Sequence, residues 1–171
     1  MRDYKAHIRF LSVLLMIFVG LTCHSQIQRQ FFGLELGNTT KSSTIKTLES
    51  KGYHVKSLSN GGLMIANVDF GGRAWSGVGF TFYEGTLAEV KFIKMKENTN
   101  LKLYYECLLE NLITKYRDYF FAEVGSQGEA FFADINTSLL LVYSNNHESV
   151  TLLYQDNREV KDLMREDNKD L

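Results

Sequence analysis

Few residues in this chain could do chemistry, and their spacing decides how much to make of them. From Gln26 onward there are two histidines, His54 and His147, one cysteine, Cys107, and scattered carboxylates. A zinc site needs Cys or His ligands in close pairs, and the sequence offers neither a Cys pair nor a His-x-x-x-His run. His54 falls at a strand start and His147 in a hairpin turn, so both read as solvated loop residues. Serine is plentiful, but no Gly-x-Ser-x-Gly elbow presents one to a base. The run Gly71-Gly72-Arg73-Ala74-Trp75-Ser76-Gly77 is glycine-rich, yet it lacks the Lys-Ser/Thr ending of a phosphate loop. It also precedes a strand pattern, where a phosphate cradle needs a helix N-terminus. It reads as a turn. Asp69, Glu89, Glu123 and Asp134 fall in strand patterns, where two of them could reach the separation a glycosidase uses. Any β-rich chain contains such pairs, so the expectation is a protein without a catalytic centre, metal or cofactor.

Composition narrows the class further. The chain has 171 residues, 44% hydrophobic and 13% aromatic, enough for one ordinary domain with a packed core. Proline is absent, so no Pro-rich linker divides it. A formal net charge of −1 provides no basic footprint for nucleic acid.

The segment before Gln26 reads differently from the rest. Arg2, Lys5 and Arg9 precede an apolar run from Phe10 to Cys23, and small residues end near Ser25. A basic start, a short apolar core and small residues make the pattern of a secretory signal peptide, here residues 1–25. The run is shorter than the ~20 apolar residues of a comfortable transmembrane helix, which argues against an uncleaved anchor. Cys23 is a candidate lipidation site, although Gly20-Leu21-Thr22 departs from the small-residue box that usually precedes such a cysteine. The mature protein is therefore expected in the periplasm or outside the cell, with membrane anchoring as a lipoprotein the alternative. Cys107 would be its only cysteine, so no intrachain disulfide can form. Cys107 lies in a helix pattern and reads as a buried small hydrophobe.

The elements expected to position these residues come in two similar sets. Asn38-Thr39 reads as a helix N-cap pair, Ile45 and Leu48 as the apolar stripe, and Gly52 as the left-handed stop. Strand patterns follow at about 54–58, 62–70, 75–83 and 87–95, with Asn60-Gly61 and Glu84-Gly85 as tight turns. Asn98-Thr99 then precede a longer helix, with Leu101, Tyr105, Leu108, Leu112 and Tyr116 on one face. Strands follow at about 120–124, 129–135, 138–144 and 149–156. One uniform shift, which carries Asn38-Thr39 onto Asn98-Thr99, aligns cap, helix stripe and final hairpin without a gap. The reading is an α+β fold, a tandem repeat of one helix plus four antiparallel strands. The repeats span about 31–95 and 96–156 within a domain of residues 26–157. Helices would pack on one face of a continuous antiparallel sheet. Residues 158–171 read as a charged tail or a short docking helix, with Val160, Leu163 and Met164 as a weak apolar stripe.

Phe32-Gly33-Leu34-x-Leu36-Gly37, followed by a capped helix ending Lys51-Gly52-Tyr53, resembles the start of beta-lactamase-inhibitor-protein-like domains. The outer-membrane assembly lipoprotein (BamE/SmpA) fold begins similarly, as do many small secreted bacterial proteins of unknown function. The tandem order over residues 31–156 resembles the two-repeat inhibitor proteins more than the single-repeat lipoproteins. It departs from the inhibitors in lacking their paired cysteines and in having one main helix per repeat. What the resemblance implies is a sheet with helices on one face and the other face open to a partner.

Alternation predicts which residues face which way. Val78, Phe80, Phe82, Val90 and Phe92 are expected under the helices, and the uniform shift puts Leu140, Val142, Val150, Leu152 and Tyr154 with them. The open face would then hold Trp75, Thr81, Tyr83, Glu89 and Lys91 in the first half. In the second half it would hold Leu139, Leu141, Tyr143 and Leu153. An apolar set on an exposed face usually marks a partner surface, and Trp and Tyr are favoured anchors. The alternative is that the tail or sheet curvature buries them. The functional expectation is an exported, non-catalytic binding module that engages a protein or envelope component through this face. An envelope-assembly accessory and a small hydrolase are the alternatives.

The export reading has a direct test. Intact mass of the exported protein is expected to show a chain starting near Gln26; retention of residues 1–25 refutes it, and acyl chains on Cys23 identify a lipoprotein instead.

Overall fold

A computed structural model describes residues 26–124 and 128–158. The expected signal segment with Cys23, and the tail stripe of Val160, Leu163 and Met164, lie outside the described residues. The chain begins with a small antiparallel ribbon, β1 (Gln30–Phe31) and β2 (Leu34–Glu35), followed by helix α1 (Lys41–Ser50). Four strands come next: β3 (Lys56–Ser57), β4 (Leu63–Phe70), β5 (Arg73–Tyr83) and β6 (Thr86–Met95). Helix α2 (Leu101–Lys115) precedes four more: β7 (Phe120–Val124), β8 (Glu129–Ala133), β9 (Thr137–Ser144) and β10 (Ser149–Asp156). The eight strands form one antiparallel sheet in the order β3-β4-β5-β6-β10-β9-β8-β7. The fold is therefore α+β, with the two strand groups joined where β6 pairs with β10. Among the described residues, no helix is long and apolar enough to cross a membrane.

Both helices start slightly later than expected, and the reason is local. The Oγ1 of Thr39 accepts the Glu35 N–H at 2.7 Å, and its carbonyl accepts the Leu87 N–H at 2.8 Å. Those bonds occupy the Thr39 hydroxyl and carbonyl, so the cap falls to Thr40, in extended backbone, whose hydroxyl accepts the Ser43 N–H at 3.3 Å. At α2 the cap is Asn100, whose Oδ1 accepts the Leu103 N–H at 3.2 Å. Gly52, at φ +84°, lets the Tyr53 N–H return to the Leu48 carbonyl at 3.1 Å and close α1. The apolar face of α2 is the expected one: Leu101, Tyr105, Leu108, Leu112 and Tyr116 are all buried. Cys107 points the other way and is exposed, which corrects its reading as a buried hydrophobe. The first strand of the large sheet is shorter than expected, only Lys56–Ser57.

The glycine-rich run also resolves differently. Phe70 pairs with Arg73, so the turn is only Gly71-Gly72, both at positive φ, and Arg73 onward belongs to β5. Such two-residue turns match the twist of the strands they join.

One core lies between the sheet and the helices. Phe31 from the opening ribbon sits 4.6 Å from Tyr154 and 5.9 Å from Phe92, ring centre to ring centre. That places the ribbon over the middle of the covered face. Residue Arg29 locks it there. Its guanidinium donates to the Asn136 carbonyl, the Thr137 hydroxyl and the Leu36 carbonyl, each at 2.8 Å, and pairs with Asp156. Burial alone would push the Asp156 carboxyl up, but hydrogen bonds from Arg29 and Arg158 outweigh it and hold the group below the usual carboxylate range. Gly37 is required beside this pair, because a Cβ there would meet an Asp156 oxygen at 2.6 Å.

A depressed carboxyl stabilises the fold above its unfolded pKa and loses that contribution as pH falls through the folded value. Asp156→Asn is expected to cost roughly 1.5–3 kcal/mol at pH 7, the scale of hydrogen bonds to a charged group. The difference from the parent protein should shrink below about pH 4, near the ordinary Asp pKa. Urea unfolding across pH checks both the size and the sign.

Candidate functional site

The two faces of the sheet divide the expected site residues, and several cross over. Trp75 is 3% exposed, Leu139 and Leu141 are fully buried, and all three belong to the core. Tyr143 packs its ring 5.9 Å from that of Tyr105 on α2. These four lie on the covered face, not the open one. Thr81 and Lys91 are exposed on the open face as expected, opposite Glu89 and Leu153 respectively. Both partners are partly buried, and Tyr83 is half-buried at the hairpin end.

Two breaks in alternation explain the crossings. Ile65 and Val68 are both buried although an odd step apart, as are Trp75 and Val78 on the paired strand. Asn67, at φ +53°, sits at the break in β4, outside the ladder that joins Ala66 to Gly77 and Val68 to Trp75. Asn adopts that left-handed backbone more readily than most residues. Beyond the break Trp75 turns inward, its ring 5.2 Å from Phe92 and 5.6 Å edge-on to Tyr104. Its indole N–H donates to the Phe70 carbonyl at 3.3 Å.

The second break is a bulge in the β5–β6 hairpin, between Thr81 and Phe82. Phe92 pairs with Leu152, its own counterpart under the shift that carries Asn38 onto Asn98. Val78 lies opposite Phe92, and Leu141 lies opposite Leu152. The uniform shift would instead carry Val78 onto Ser138, so β9 is displaced from it by an odd number of positions. An odd displacement reverses every side chain of β9 relative to the uniform shift. Leu140 and Val142, expected under the helices, therefore point to the open face.

The open face thus acquires its own apolar set. Phe131, Leu140 and Leu153 lie side by side across β8, β9 and β10, in direct register. The same row continues through Lys91 and Gly79 to Met64. In the next row Val142 and Ile93 flank Thr151, and Gly77 lies beyond Ile93. None of Phe131, Leu140, Val142, Leu153, Ile93 and Met64 joins the core cluster, and each keeps part of its surface accessible. Gly77 and Gly79 carry no side chain over this face, and the Met64 methyl fills part of that gap, 2.9 Å from where a Gly77 Cβ would stand. The result is an apolar plateau at one half of the sheet and a glycine-floored trough, lined by a flexible thioether, at the other.

Among the described residues, no group of three or more His, Cys, Asp or Glu side chains comes together. His54 and His147 are exposed, one before β3 and one in the β9–β10 turn. Asp134 is occupied by backbone: the Asn136 and Thr137 N–H groups donate to one oxygen at 2.7 Å, and the Ile27 N–H to the other at 2.9 Å. Asp69 is exposed near the Gly71-Gly72 turn, and Glu89 pairs with Thr81 across the open face. Glu123 belongs to β7, and its side chain lies outside the described ones.

Buried aromatic residues lose both transfer energy and packing on truncation. Trp75→Ala is expected to lower unfolding stability by roughly 3–5 kcal/mol; thermal unfolding checks it, and a loss under about 1 kcal/mol would contradict the burial. Searched against known protein families, curated proteins and solved structures, the chain matches no family model, no curated protein and no solved structure.

Proposed function

We propose that this protein is an exported, non-catalytic binding module that grips the apolar surface of a partner protein with the open face of its sheet. The observation that carries the reading is the in-register row Phe131, Leu140 and Leu153, which lies outside the core. A sheet face left to solvent normally alternates to polar residues. Clustered apolar side chains there favour contact with another surface. Met64 and the glycine trough add adaptability, because a thioether repacks against different shapes.

The same reading includes a tandem repeat of one helix and four strands, as in the two-repeat inhibitor proteins the sequence resembles. It is supported by the sheet order, which runs outward through β5, β4 and β3 from β6 and through β9, β8 and β7 from β10. The helix caps Thr40 and Asn100 correspond under the same shift that carries Asn38 onto Asn98. So do the paired residues Phe92 and Leu152. A repeated unit of this size exposes too much apolar surface alone, which favours fusion through the central strands.

The test is a Leu140→Lys, Leu153→Lys double variant of residues 26–171. Circular dichroism and thermal unfolding should show a folded protein, because both positions lie outside the core. Capture from envelope extract should lose the partner that the parent protein retains, at a cost of at least ~2 kcal/mol in affinity, the hot-spot scale. A folded variant that keeps every partner of the parent refutes the reading.

A further inference from the structure

The helix side of the sheet carries a cavity of about 270 Å³ that the open-face reading does not use. Its floor is aromatic and buried: Trp75, Phe92 and Tyr154 from β5, β6 and β10, with Phe70 beside them. Leu108 and Leu112 of α2 form one wall, and the next turn of the same helix brings Lys115 to the rim. Arg73, the first residue of β5, stands on the rim as well, with the amides of Asn111 and Gln28. No carboxylate lines the cavity among the described residues.

Charge and shape therefore point the same way. The Arg73 guanidinium lies over the Tyr104 ring at 5.4 Å, and its hydrogen bond to the Cys107 carbonyl is long, at 3.4 Å. None of the five ion pairs among the described residues includes it. Stacking holds the planar group in place while leaving N–H donors for an acceptor. Lys115 stands over the Tyr116 ring at 5.0 Å, and its Nζ lies 3.4 Å from the Gln28 Oε1. Ligand pockets combine an apolar lining with a few polar groups that set orientation, and run from ~300 to 1,000 Å³. This one falls just below that range.

We propose that the cavity binds a small monomeric amphiphile, its short apolar body on the Trp75–Phe92 floor and its single anionic headgroup at Arg73 and Lys115. The headgroup is a carboxylate, sulfonate or phosphate. The volume suits one short chain or one ring, not the paired acyl chains of a membrane lipid.

Trp75 is the chain's only tryptophan, so its fluorescence reads the site directly. Residues 26–171 are titrated with octanoate, octanol and octylammonium, in low salt. Octanoate is expected to shift the emission saturably and to bind at least about tenfold tighter than octanol, the scale of one charge-assisted hydrogen bond. Octylammonium should bind more weakly than octanol. Arg73→Gln should remove the preference for octanoate while leaving octanol unchanged, and Lys115→Gln should reduce that preference. Leu140→Lys, on the opposite face, should change none of these values, so this result and the partner-capture result fail independently. Equal affinity for octanoate and octanol overturns the proposal, as does an unchanged preference in both charge variants. A response only to phosphatidylglycerol vesicles overturns it too, in favour of a lipid surface.

Discussion

Everything in this molecule hangs on the pairing of β6 with β10. Seven residue pairs, from Ser149 with Met95 to Gln155 with Glu89, join the strands that follow α1 to those that follow α2. Without that seam each group would be a four-stranded sheet with one helix, too small to bury its aromatic residues. With it, Phe92 and Leu152 become neighbours at the centre, and rings from the opening ribbon, β4, β5 and β10 gather over them. The seam is also why the sheet has two broad faces to assign.

Those faces do different physical work. The covered face is closed by the two helices and by the ribbon, and the ribbon is held by Arg29 and Asp156 rather than by its own two pairs of residues. That clamp ties the start of the described chain to its last strand, so the aromatic cluster beneath is covered from both ends of the sequence. The open face has no such cover among the described core contacts, and its apolar row must be stabilised by solvent-tolerant packing among neighbours or by a partner. Cross-strand apolar pairs contribute only about 0.2–1 kcal/mol each, and Phe131 and Leu140, both half-buried, keep part of their transfer energy still to be gained.

The polar groups follow the same division. Asp134, one of the strand carboxylates with catalytic geometry in prospect, is instead an acceptor for three backbone N–H groups that shape the β8–β9 turn and seat Ile27. An acceptor so occupied organises a loop. Lys94, nearly buried on the covered side of β6, reaches Glu97 at 3.9 Å at the strand's end. Its long apolar stem is covered while the charge reaches toward Glu97.

Apart from the β1–β2 ribbon, which was not expected from the sequence, element type and order were legible because they rest on local physics. The stripe Leu101, Tyr105, Leu108, Leu112 and Tyr116 is a helical period, Gly52 can take φ +84° without strain, and Glu84-Gly85 suits a two-residue turn. The side each strand residue faces was not legible, since it depends on where alternation breaks. Asn67 breaks it in β4, and the register shift between Thr81 and Phe82 offsets the first hairpin from the second. Neither break has a residue type that only a bulge would choose, yet beyond the first Trp75 turns inward, while the unbroken pairing of β9 with β10 sets Leu139, Leu141 and Tyr143 inward with Leu152. The same pairing turns Leu140 and Val142 out, with Leu153 and Thr151. The helix-side cavity was invisible for a related reason: the start of β5 with Arg73 and Trp75, Leu112 and Tyr154 are far apart in the chain and meet only once β6 has paired with β10 and α2 has folded over them. The sequence by itself determined which segments are helices and strands; only tertiary pairing decided which side chains share a face, because a strand's period of two turns a one-residue slip into a complete reversal.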